Sequence, residues 1–173
     1  MGTLSPGGSD DPFAPELAAN AVYAEQFRLA GLEPVAASGL AVVTCMDSRI
    51  EPLQMLGLSA GDAKILRNAG ARVTDDVLRT LVLAVHLLGV RRVLVVAHTR
   101  CRMSAEDEAQ VHKAIFAASG VDTRSLELRP SPDVSATLRA DVQRVRSSPY
   151  LPDDLAVGGA IYDVDTGRLD RVL

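Results

Sequence analysis

Two short apolar runs, "GLAVVTCMD" at 39–47 and "RRVLVVAH" at 91–98, constrain this chain more than any other feature. Both are rich in β-branched residues and read as buried strands. A strand that is apolar on both faces belongs inside a mostly parallel sheet covered by helices. Between the two runs lies "TDDVLRTLVLAVHLLG" at 74–89, the clearest helix of the sequence. Thr74 is placed to cap it, Asp75 and Asp76 suit its positive end, and Gly89 can end it. Strand, helix and strand in succession imply an α/β fold: a mostly parallel central β-sheet flanked by helices.

The rest of the chain extends this alternation. A helix is expected from Phe13 to Ala30, with Gly31 past its end and Pro34 beyond. Ser48 and Glu51 have capping-box spacing, so a helix is expected to start there and stop near Gly57. "AKILRNAG" at 63–70 reads as a strand running into a turn. A helix over "AEDEAQVHKAIFAASG" follows the 91–98 strand. Ser131, Pro132 and Asp133 open another, in which Val134, Leu138, Val142 and Val145 recur at helical spacing. "GGAIYDVDTGRL" at 158–169 reads as a last strand with a tight Asp-Thr-Gly turn. Residues 1–12 are rich in Gly, Ser, Pro and Asp and are expected to be a flexible tail, leaving 13–173 as a single domain.

Composition narrows the function classes. With 18 basic and 22 acidic side chains among 173 residues, the net charge is -4, which argues against a nucleic-acid partner. The longest apolar stretch is broken by Arg79, His86, Gly89, Arg91 and Arg92, so no membrane span is expected. The start "MGTLSPGGSDD" lacks the basic and apolar parts of a secretion signal. Two cysteines make no disulfide framework. Together these point to a soluble, cytoplasmic protein.

Those two cysteines, with one histidine, carry the chemistry. Cys45 ends the first strand, His98 ends the 91–98 strand, and Cys101 follows three residues on. Ligands of open α/β sheets bind where parallel strands end, so the three converge on the expected functional edge. Two thiolates and an imidazole suit tetrahedral zinc and leave a fourth place open. From spacing alone, zinc stands at even odds with a bland reading of two buried hydrophobic cysteines and a hydrogen-bonded histidine. A Cys45–Cys101 disulfide is a third reading, disfavoured by a reducing compartment. His86 lies in the apolar helix and reads as a core or interface residue. His112 reads as lying on a polar helix face.

Asp47 and Arg49 follow Cys45 at alternate positions, and Cys-x-Asp-x-Arg is far more specific than His-x-x-Cys. The segments "CMDSR", "RNAG" and "DDVLRTLVLAVHLLGVRRVLVVAHTRC" together resemble the β-class carbonic anhydrases, continuously over about 39–104 and again at "GGAIYDVDTGRL". The resemblance implies that Cys45, His98 and Cys101 ligate zinc. It implies that Asp47 either accepts a hydrogen bond from zinc-bound water or takes the metal's fourth position in a closed form. Arg49 would pair with Asp47 and hold it off the metal. Carbon dioxide and bicarbonate would be interconverted through zinc-bound hydroxide, in a homodimer or higher homo-oligomer. The alternatives on the same scaffold are hydrolysis of carbonyl sulfide or carbon disulfide, a non-catalytic zinc protein, and a redox-sensing thiol pair.

Two departures from the family pattern stand out. Family members commonly carry Asp and Gly around the second cysteine, where this chain has Arg100 and Arg102. These arginines are solvated, or paired with acids such as Asp75, Asp76, Glu106 or a partner subunit, or placed to favour hydroxide and attract bicarbonate electrostatically. Some β-class enzymes also have an inhibitory bicarbonate pocket with a tryptophan and an arginine. Arg67 matches the arginine, but Val42 stands at the tryptophan position, so that pocket is not expected to be intact.

Overall fold

The computed structural model describes residues 11–173. Most of the expected tail at 1–12 therefore lies outside the described residues. These form two compact units, one up to Leu32 and one from Glu33 to Leu173.

The first unit contains helix α1, Ala14–Glu25, which has no buried residue. It stops at the C-cap Gln26, short of the expected end at Ala30. Its apolar residues lack a sustained helical repeat, so nothing in the pattern marked the end.

In the second unit, strands β1 (Leu40–Cys45), β2 (Ala63–Asn68), β3 (Arg92–His98), β4 (Ala156–Tyr162) and β5 (Leu169–Arg171) form one sheet. The order is β2-β1-β3-β4-β5. The first four run parallel, and β5 pairs antiparallel with β4. The expected last strand is thus a strand, a turn and a short return strand. Val42 and Val43 alternate across β1, as Val95 and Val96 do across β3, and all four are buried. Burial on both faces is what the continuous apolar runs require.

Helix α2 spans only Pro52–Met55. The expected Ser48–Glu51 capping box does not form; Glu51 itself is the N-cap and its side chain makes no capping bond. The cause is Pro52. A residue before proline is driven out of the helical region, and Glu51 sits at φ -108° and ψ 89°. Helix α3, Asp75–Leu87, is capped by the Thr74 side chain accepting from Val77 N–H. It buries Val77, Leu81 and Ala84, one stripe at helical spacing. Helix α4, Glu108–Ser119, starts later than expected, because Asp107 and Gln110 make a reciprocal capping box there. Helix α5, Val134–Arg146, begins just after the Ser131–Asp133 stretch expected to open it, with the Asp133 side chain as its cap. No helix among the described residues is long and apolar enough to cross a membrane.

Helix α5 packs against β3 and β4. The helix lies tightly against Gly159 of β4. A Cβ there would lie 3.0 Å from Val142 Cγ2 and 3.2 Å from Leu138 Cγ. Glycine is therefore a packing requirement at this point of the sheet. Gly159→Val is expected to destabilise the fold by about 1–3 kcal/mol through overpacking. Denaturant unfolding would read this as a lower midpoint with an unchanged slope, and an unaltered midpoint would refute the packing account.

Candidate metal centre

Parallel pairing of β1 with β3, in the register Thr44 to Val96, brings the C-terminal ends of both strands to one sheet edge. Cys45 is the last residue of β1 and His98 the last of β3. Cys101 follows in the turn after β3. The two sulfurs lie 4.0 Å apart. The Sγ atoms and an imidazole nitrogen all fall within 4.8 Å of one another, and the three residues are buried. The structure thus brings together the three side chains that the sequence placed at this edge.

His98 is the informative member. Its Nδ1 lies 2.9 Å from the Thr99 carbonyl oxygen, which can only accept, so Nδ1 carries the hydrogen. Nε2 is then a bare lone pair. It is buried and has no hydrogen-bond partner among the described residues. A buried polar atom left in this way is costly unless something absent from the protein atoms satisfies it. Two thiols and an imidazole nitrogen facing one another fit a soft-to-borderline divalent cation such as zinc.

The thiols behave as a pair. The hydrogen bond from Cys101, and less strongly those from the Gly70 and Asp47 amides, draws Cys45 well below the ordinary thiol range, against the opposing effect of burial. Cys101 is pushed far up, first by its bond to the Cys45 thiolate and then by burial. The two shifts run in opposite directions, with the charge favoured on Cys45 and the proton on Cys101.

The cradle around Cys45 is built by the segment after β2. Asn68 Oδ1 accepts from Arg72 N–H at 2.8 Å, and its Nδ2 donates to the Arg72 carbonyl at 2.7 Å. These bonds close a short 3-10 turn, Ala69–Ala71. Gly70 sits at φ 79° and turns its N–H toward Cys45 Sγ, 3.4 Å away. Arg72 anchors the turn through a largely buried ion pair with Asp141 of α5 at 2.7 Å. Sequence reading missed this anchor, since the partners lie 69 residues apart. Asn68 thus shapes the turn expected at the end of the 63–70 run.

Asp47 and Arg49 meet in a planar fork: Nε donates to Oδ1 at 2.9 Å and Nη2 to Oδ2 at 2.7 Å. The Arg49 guanidinium, helped by its own backbone N–H, holds the Asp47 carboxyl far below the usual carboxylate range. Asp47 Oδ2 lies 3.9 Å from His98 Nε2, so the carboxylate faces the same space as the orphaned nitrogen.

Among the candidate modifiers, Arg100 pairs with Asp165 and Arg102 with Glu106, the latter at 3.4 Å. Of the acids weighed from sequence, Glu106 is engaged, while Asp75 pairs with Arg144 and Asp76 with Arg79. Arg102 opens a 3-10 turn, Arg102–Ser104, so glycine is not required there. The unusual backbone is at Arg100, with φ 51°. Arg67 donates to the carbonyls of Cys45 at 2.9 Å and Asp47 at 2.6 Å, so its guanidinium supports the β1 end. His86 Nε2 bonds the Tyr150 carbonyl and His112 Nδ1 the Thr123 hydroxyl.

The chain is similar to known proteins over most of its length. A family model described as carbonic anhydrase matches residues 40–169. β-Carbonic anhydrase 1 of Mycobacterium tuberculosis is 36% identical over 158 residues, covering 90% of this chain and 94% of the relative. A carbon disulfide hydrolase of Acidianus is 32% identical over 156 residues, covering 75% of each chain. The crystal structure of a carbonic anhydrase from Streptococcus mutans superposes with a TM-score of 0.87 at 39% identity, covering 93% of this chain and 97% of that one.

The opposed shifts of the two thiols give a direct test. In reduced, metal-free protein, thiolate ultraviolet absorbance is expected to correspond to one thiolate per chain through the neutral range. The second thiolate should appear only at strongly alkaline pH. Two thiolates rising together near the ordinary cysteine pKa would show that the sulfurs titrate independently.

Proposed function

Since the chain belongs to the β-carbonic anhydrase family, whose members are zinc-dependent lyases, we propose that it interconverts carbon dioxide and bicarbonate at the β1–β3 edge. The observation that carries this reading is the buried, unpartnered Nε2 of His98 facing two thiols. Cys45, His98 and Cys101 would hold the zinc. When bound, zinc lowers the pKa of water and so supplies a nucleophile near neutral pH. Two thiolates offset the divalent charge, so acidification is weaker than with three neutral histidines.

The protein's own groups do the rest. Asp47 stays ionised because Arg49 holds both of its oxygens. It can therefore only accept hydrogen bonds, and it orients a water toward carbon dioxide without becoming a ligand. Arg49 restrains it by two parallel bonds, a geometry that lysine cannot reproduce. Hydration of carbon dioxide yields bicarbonate and one proton, and the proton leaves to solvent.

The same reading places the protein in the cytoplasm, where both thiols stay reduced; neither is in a disulfide here. It also makes the protein a homodimer or higher homo-oligomer. Leu83, Leu87 and Tyr150 are exposed apolar side chains of the second unit, and Leu87 and Tyr150 are about 70% exposed.

A second reading, hydrolysis of carbon disulfide on the same residues, is favoured by the 32% identity to a carbon disulfide hydrolase. One reduced, zinc-reconstituted sample separates the readings. Metal analysis is expected to find one zinc per chain, and stopped-flow assays to find carbon dioxide hydration. Asp47→Asn should keep the zinc and lower kcat by about 10²-fold. Sulfide release from carbon disulfide without carbon dioxide hydration would favour the second reading. Zinc without either activity, across neutral and alkaline pH, would leave a non-catalytic zinc protein. Failure to take up zinc, with a Cys45–Cys101 disulfide in cell extracts, would favour a redox thiol pair.

A further inference from the structure

The β4–β5 turn grips the loop between His98 and Cys101 at several points. Thr99 N–H donates to the Tyr162 carbonyl at 2.9 Å. Val164 N–H donates to the Thr99 hydroxyl at 3.2 Å. The Arg100 guanidinium reaches Asp165 in the same turn. Asp165 is itself fixed, because its N–H donates to Asp163 Oδ1 at 2.8 Å.

Arg100 has a second, backbone connection. At φ 51° it occupies the left-handed region, which non-glycine residues adopt only when their surroundings compel it. In that conformation its carbonyl accepts from Arg49 Nη2 at 3.2 Å. The same Nη2 donates to Asp47 Oδ2 at 2.7 Å. A continuous path of contacts thus runs from Asp165 through Arg100 and Arg49 to Asp47.

We propose that Asp165 and Arg100 are positioning residues for the Asp47–Arg49 pair: their ion pair holds the left-handed turn that aims the Arg100 carbonyl at Arg49. The proposal rests on the carbon dioxide reading of the same edge. It gives the arginine at position 100 a mechanical task, carried out by its backbone while its charge is spent on Asp165. Both side chains are more than half exposed, so the ion pair itself contributes little to stability. Its loss should appear in turnover and in the order of Arg49, with folding unchanged.

The test uses zinc-loaded protein and three variants: Asp165→Asn, Arg100→Ala, and the charge swap Arg100→Asp with Asp165→Arg. The first two are expected to lower kcat by roughly 5- to 20-fold, the scale of a small misplacement of a reacting group. KM, zinc content and thermal midpoint should stay within error. The swap should recover most of the loss, because it restores a pair with the charges reversed and aspartate tolerates the left-handed region. An electrostatic role for Arg100 would make the swap worse than Arg100→Ala, and that result would overturn the proposal.

A second readout does not depend on activity. In ¹⁵N NMR spectra, assigned with Arg49→Lys, the Arg49 Nε–H resonance should exchange slowly with solvent in the parent protein. It should broaden in Asp165→Asn and return in the swap. An Asp165→Asn protein with parental kcat and an unchanged Arg49 resonance would refute the tether. If the parent protein shows no carbon dioxide hydration, the functional reading fails, and the Arg49 resonance alone decides the tether.

Discussion

Everything at the candidate centre depends on the hydrogen-bonded pairing of β1 with β3. Because the strands are parallel, their last residues finish side by side, and Cys45 and His98 reach a common edge with no long loop to order. One short turn then supplies Cys101, and another, after β2, aims Gly70 N–H at a sulfur. The donors are held by sheet ladders and tight turns, so little conformational freedom is left to lose when a ligand is gathered. A shift of either strand by one residue would turn a donor to the opposite face and dismantle the set.

Two ion pairs with different burial serve this edge. Arg72–Asp141 is largely buried and ties the turn after β2 to α5. Removing one partner would strand a charge in a dry environment, so it is a structural commitment. Arg100–Asp165 lies at the surface, where water weakens it, and so acts through geometry more than through energy. Arg67 does comparable work by spanning the carbonyls of Cys45 and Asp47. An arginine engaged in this way is poorly disposed to receive an anion, which accords with valine at position 42 in place of the tryptophan of the inhibitory pocket.

Much of this was legible in the chain. The runs at 39–47 and 91–98 had to be buried strands, the Thr74 cap marks a helix start correctly, and the Ser131–Asp133 stretch lies just ahead of another. Local patterns misled where a stronger local rule competed. Pro52 overrode the Ser48–Glu51 spacing, and Asp107 with Gln110 outcompeted an earlier start for α4. At the edge itself, Cys45, His98 and Cys101 could be gathered because strand ends are predictable places. The companions of the two arginines could not all be named. Glu106 lies one helical turn from Arg102, but Asp165 is 65 residues from Arg100, and only the folded turn brings it there. The left-handed backbone at Arg100 was equally invisible, because arginine gives no hint of it.

The sulfur pair, 4.0 Å apart with Cys45 drawn down and Cys101 pushed up, bears on how the protein competes for metal. A cation entering two ordinary thiols near neutral pH must displace two protons, and its affinity then climbs steeply with alkalinity. If Cys45 ionises ahead of Cys101, as the direction of its shift favours, one of those protons is gone before the cation arrives. Loading should release about one proton per ion from the thiols, and apparent affinity should change with pH at about half the usual slope. The centre would therefore keep its hold on scarce metal when the surroundings turn acidic, as they do wherever hydration of carbon dioxide runs ahead of buffering.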